Sequence, residues 1–211
     1  MKKTISTLLV ILSVFFAKAQ TVDEALKSTL TQFHSAADLN AMIASGNRFV
    51  LIANKWSTEW VAHYYAAYSK SVIGAMEKDN AKKIIYFDEA EKHLEAAKTK
   101  LKTENDEICV LTAMIASMKI GIYPDQWQKY MEIFSANLQK AKSLRAENPR
   151  IYYVEGTSKF YTPETYGGGK KSALPYFQKA AEYFNVETDA DVRKPSWGKK
   201  QNEEFVKKCE G

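Results

Sequence analysis

Three histidines, two cysteines and one run of three glycines are the residues of this 211-residue chain whose chemistry could go beyond packing. His63 follows Trp60 by one helical turn in the aromatic stretch WVAHYYAAYSK. A lone imidazole there is expected to be a hydrogen-bonded packing residue, because a base or ligand needs partners that its neighbours do not supply. Glu89 and His93 are four residues apart, a spacing that could share a metal. No second pair of that spacing accompanies them, so a solvated helix face and no metal is the expectation. Cys109 and Cys209 lack the histidine spacing of a zinc site. An oxidising compartment would permit one disulfide between them, but a buried helical thiol and a free tail thiol are expected. Gly167–Gly169 with Lys170 and Lys171 lacks the GxxxxGK[ST] spacing and a preceding strand. Its glycines are expected to allow the backbone of a long turn. No GxSxG, HExxH or cysteine–histidine pair is present, so the chain reads as no enzyme and needs no cofactor.

The elements that must position these residues are helices. Apolar residues recur at steps of three and four almost throughout, and prolines (5) and glycines (9) are too few to break long stretches. Helices are predicted over 21–34 and 38–53, the second with an interruption at Gly46-Asn47. Ser57-Thr58-Glu59 is expected to cap a helix from Trp60 onward. Further helices follow over 80–101, 107–120, from Trp127 to Leu144, and in the stretch 148–184, where YTPETYGGGK separates two of them. Periodicity is lost over 185–196, after which Trp197, Phe205 and Val206 predict a short covering helix.

The first residues read as a leader. Lys2-Lys3, the apolar run Leu8–Phe16 and the small residues of Ala17-Lys18-Ala19 form the pattern of a secretory signal cleaved after Ala19. The run is shorter than the roughly 20 apolar residues of a membrane span. A periplasmic or secreted protein with no transmembrane segment after cleavage is expected. Removing Lys2, Lys3 and Lys18 takes three charges from the formal +5 and leaves +2, mixed along the chain. No basic block remains to track phosphates, which argues against nucleic acid.

Three segments share one spacing: Ala90-x3-Leu94-x2-Ala97, Phe134-x3-Leu138-x2-Ala141 and Ala173-x3-Phe177-x2-Ala180. Small residues admit a close neighbour while the large one fills the groove beside it. This spacing resembles the second helix of the tetratricopeptide repeat, with Gly156 at the small position of a first helix. The repeat length of about 39 to 44 residues exceeds the family's roughly 34, the excess lying in turns such as YTPETYGGGK. With that turn, the chain also resembles exported tetratricopeptide-like proteins, including the T-component of tripartite ATP-independent transporters.

The resemblance implies an all-α, right-handed α-α superhelix of about three helix pairs. Residues 1–19 would be the signal, 20–56 flanking helices, 57–185 the repeats, and 186–211 a tail with a capping helix. It implies a scaffold for a protein or peptide partner. On the family's groove, Arg150 would hold a carboxylate, with Tyr153 and Thr157 beside it and Tyr65 and Tyr68 in second rank. The competing expectation is that Arg150 pairs with a nearby glutamate and Tyr153 packs in the stack. A small-molecule accessory is the alternative function, its aromatic cavity formed by Trp60, Tyr64, Tyr153 and Tyr161.

Overall fold

The computed structural model describes residues 20–188 and 191–211, so the predicted leader lies outside the described residues. Nine α-helices occur among them: α1 Val22–His34, α2 Leu39–Lys55, α3 Trp60–Met76, α4 Asn80–Leu101, α5 Asp106–Ile120, α6 Trp127–Leu144, α7 Pro149–Tyr161, α8 Lys170–Phe184 and α9 Lys199–Glu210. No described helix is long and apolar enough to cross a membrane.

Local chemistry accounts for where the helices begin. Thr21 and Glu24 form a reciprocal capping box on α1, at 3.2 and 2.9 Å. Asp38, Asp79, Asn105 and Asn148 each accept a backbone N–H at the start of α2, α4, α5 and α7. The expected cap of α3 is not made. Glu59 holds the N-cap position without a side-chain bond, because its carboxylate accepts from Arg193 instead, at 2.8 Å.

Consecutive helices pair as α1/α2, α3/α4, α5/α6 and α7/α8, and α9 lies against α8. The pairs stack through α2 on α3, α4 on α5 and α6 on α7, while α1, α3, α5 and α7 touch in succession. The result is an all-α superhelical array. The helices expected only to flank the repeats form a hairpin of their own. All nine residues of the shared spacing are buried, Ala90, Leu94 and Ala97 in α4 and their counterparts in α6 and α8.

The predicted interruption at Gly46-Asn47 is absent: α2 runs through it. Gly46 is there for close approach, since a Cβ would lie 2.5 Å from the Ile73 side chain of α3. The Gly167–Gly169 turn is structural in the expected sense. Gly167 and Gly169 have positive φ (76° and 89°), and the Gly169 N–H donates to Lys159 O at 2.9 Å. Cys109 and Cys209 are both half-buried free thiols.

Gly156 packs its bare Cα against Phe177, whose ring would lie 2.8 Å from an added Cβ. Gly156→Ala gains helix propensity but overpacks a buried aromatic contact, and should lower unfolding free energy by about 1–3 kcal/mol. Urea melts of the two proteins check this; an unchanged or raised midpoint would show that Phe177 yields freely.

Candidate functional site

Arg150 is the second residue of α7, after the Asn148 cap and Pro149, and points inward, with 0% exposure. Its Nε donates to both oxygens of Glu107 on α5, at 3.0 and 2.9 Å. Its Nη1 donates to Glu187 Oε2 at 2.8 Å and to the Trp197 carbonyl at 3.2 Å, and its Nη2 to Glu187 Oε1. Glu107 also accepts from Tyr64 OH (3.2 Å), Arg145 (2.7 Å) and the Asn148 amide (2.8 Å). Trp197 Nε1 donates to Tyr64 OH at 2.7 Å and closes the circuit. Burial would lower the Arg150 pKa, but Glu107 and Glu187 hold it above its ordinary range. Burial pushes Tyr64 up, and the negative charge of Glu107 adds to this.

This arrangement corrects the groove expected from the sequence. Glu187, Val192 and Trp197, beyond α8, lie against the helices that should line it and engage residues assigned to a partner. Tyr65 OH donates to Val192 O at 3.0 Å, and Tyr68 stacks on Trp197 with centroids 4.9 Å apart. Tyr153 packs against Phe177, Trp197 and Phe205, and the Thr157 hydroxyl donates to Val154 O at 2.9 Å. Arg150 is therefore no surface clamp; its carboxylates are internal. The alternative aromatic cavity is filled as well. Tyr64 is fully buried with Trp60 edge-on to it, whereas Tyr161 is 73% exposed beside Phe160 and Phe205.

An open cleft lies instead at the first end of the stack. Between α1 and α2, a space of about 460 Å³ is lined by the polar Gln20, Ser28, Thr29 and Gln32, the apolar Ala25, Leu51, Ile52 and Trp56, and the cations Arg48 and Lys55. Leu51 is 65% exposed, a large apolar side chain left open by the described residues. The Lys55 ammonium lies 4.2 Å over the Trp56 ring, and Arg48 Nη1 donates to Gln32 Oε1. A second groove of about 310 Å³ among α4, α5 and α6 has Leu94, Ile115 and Tyr130 within it and Glu91 and Glu95 among its lining. The first cleft holds two cations among its polar and apolar residues and suits a ligand that joins an apolar surface to anionic groups; the second has no such pair of cations in its lining. Sequence reading passed over this cleft. Its available signal was Arg48, Leu51 and Lys55 at steps of three and four on one helix face, mixing cations with an apolar residue.

The structure also joins two histidines that the sequence left apart. His63 Nδ1 and His93 Nδ1 are 3.3 Å apart across the α3/α4 contact, and His63 Nε2 lies 3.2 Å from Ser57 O. Burial, and then His63, lower the His93 pKa to about 4.

Two outcomes follow. Arg150→Ala leaves Glu107 with Arg145, Tyr64 and Asn148 but takes the guanidinium from both it and Glu187, and should destabilise the fold by about 3 kcal/mol, read as a large drop in Tm; an unchanged Tm would mean that Arg150 is not structural. His93 is neutral in the folded state well below its unfolded pKa, so the unfolded chain binds more protons between about pH 6.5 and pH 4. Its contribution to stability is present above that window and lost as pH falls through it. His34, lowered by burial, acts in the same direction. A Tm–pH profile of His93→Gln should be flatter than that of the parent; equal slopes would remove His93 as a cause.

No protein-family model matches the chain, and none of the curated proteins matches it. Among solved structures, the HusA haemophore from Porphyromonas gingivalis is similar, with a TM-score of 0.77 and 27% identity over 91% of this chain and 94% of that one.

Proposed function

We propose that this protein is an exported, non-enzymatic carrier of haem or a closely related porphyrin, held in the α1/α2 cleft. The observation that carries the reading is the cleft itself, where Arg48 and Lys55 stand with Leu51 and Trp56 among polar neighbours, in a chain similar along nearly its whole length to a haemophore. A porphyrin is a flat apolar disc with two carboxylates on one edge. Leu51, Ile52 and Trp56 offer the disc an apolar face, while Arg48 and Lys55 meet the carboxylates, Arg48 with the geometry for a bidentate contact. The volume of about 460 Å³ falls in the usual range for small-molecule sites, about 300–1,000 Å³.

Affinity in this reading comes from the macrocycle and its carboxylates. None of the lining residues is a histidine, cysteine, methionine or tyrosine, the side chains that hold haem iron. The leader pattern and the similarity to a haemophore support a periplasmic or secreted location. The shared spacing of Ala90, Leu94 and Ala97 with Phe134, Leu138 and Ala141 and with Ala173, Phe177 and Ala180 supports a tetratricopeptide-like origin for the array. Peptide binding through Arg150 and Tyr153 is given up, because both side chains are engaged inside the chain.

Absorbance titration tests the proposal. The protein should bind haem and iron-free protoporphyrin with similar affinity. Arg48→Ala/Lys55→Ala should weaken both by about tenfold or more, about 1.4 kcal/mol per factor of ten. Absence of binding, or a double variant that binds like the parent, would overturn it.

A further inference from the structure

The His63–His93 contact has no part in the cleft or in the Arg150 network, and its geometry is unusual for packing alone. A carbonyl oxygen only accepts, so the contact with Ser57 O assigns the proton of His63 to Nε2. His63 Nδ1 is then left with its lone pair, and that atom faces His93 Nδ1 at 3.3 Å. The two rings are 5.6 Å apart and tilted by 34°, each on a helix of the most extensively packed pair in the molecule. One proton, on His93, is all that lies between two converging imidazole nitrogens.

We infer that His63 and His93 form a binding site for one divalent transition-metal cation, coordinated by the two Nδ1 atoms. Metal–imidazole bonds of about 2.0–2.1 Å to nitrogens 3.3 Å apart subtend an angle of about 105–110° at the metal, close to tetrahedral. The separation of the two nitrogens therefore matches that of two imidazole ligands on one metal. Binding forms two nitrogen–metal bonds; the proton on His93 Nδ1 is lost to solvent and one is taken up from solvent at Nε2, so the ring stays neutral and no net proton is released. No group of three His, Cys, Asp or Glu residues able to hold a metal occurs among the described residues, so water completes the coordination. His93 is half-exposed and gives access for it. The nearest charges do not forbid a cation: Lys70 is tied to Glu89, one turn before His93, at 2.7 Å. His93 is neutral near pH 7 and so competent to ligate.

Imidazole pairs favour copper, zinc and nickel, and Cu²⁺ binds most tightly of the divalent series. The probe is therefore Cu²⁺, added to tag-free protein in a Cys109→Ser/Cys209→Ser background so that thiols do not compete. Equilibrium dialysis should give one copper per chain, and its electron paramagnetic resonance spectrum should show coupling to two imidazole nitrogens. His93→Gln, with the helical circular dichroism unchanged, should weaken binding at least tenfold and abolish the two-nitrogen pattern. His34→Gln should leave both intact. Failure of the parent protein to retain copper, or a His93→Gln protein that keeps the stoichiometry and spectrum, would overturn the site. Porphyrin titration of the same variants should be unaffected, so this site and the cleft stand or fall separately.

Discussion

A guanidinium sealed from water must have its donors met, because an unpaired charge inside a protein costs several kcal/mol. In this chain that demand is met from three directions. Glu107 comes from α5, Glu187 from the stretch after α8, and the Trp197 carbonyl from the segment before α9. Tyr64 of α3 ties the carboxylate of Glu107 to the indole of Trp197. Such a network adds little to stability beyond what apolar side chains of the same volume would supply. It does specify position: the C-terminal segment satisfies these groups in one register only.

That occupied interior bears on where function can lie. In an open repeat array, the helices that touch in succession would offer their shared face to a partner. Here the chain covers that face with its own residues, using the side chains that a ligand would otherwise meet. The remaining recognition surface is at the end of the stack and on its outer contacts. The cleft of α1 and α2 has an exposed Leu51 between two cations, and the α3/α4 contact brings two imidazoles together.

Much of the fold was legible because its rules are local. Helical periods, Asp and Asn caps, and the alternation of Ala90, Leu94 and Ala97 all act within a few residues of each other. The errors at Gly46 and Glu59 have a common cause, a distant partner overriding local preference. Gly46 answers to Ile73, and Glu59 to Arg193. Site chemistry depended on such partners throughout. For Arg150 both a clamp and a glutamate partner stood open in the sequence, because Glu107 and Glu187 are 43 and 37 positions away; the glutamate pairing is what the structure has. His63 looked solitary because His93 is 30 positions on, and Leu51 could not be distinguished from its buried neighbours by type.

Arg193 bonds Asp23 of α1 and Glu59 at the start of α3, so residues 170 positions apart are stapled together. An array of stacked hairpins ordinarily frays from its ends, each unit held only by its neighbour. This staple joins the last part of the chain to the first and converts the open array into a closed circuit. Emerging chain therefore cannot complete its fold hairpin by hairpin. Until Glu187 and Trp197 have left the ribosome, Arg150 and Glu107 lack their remaining partners, and full protection of the core waits for the final stretch of polypeptide.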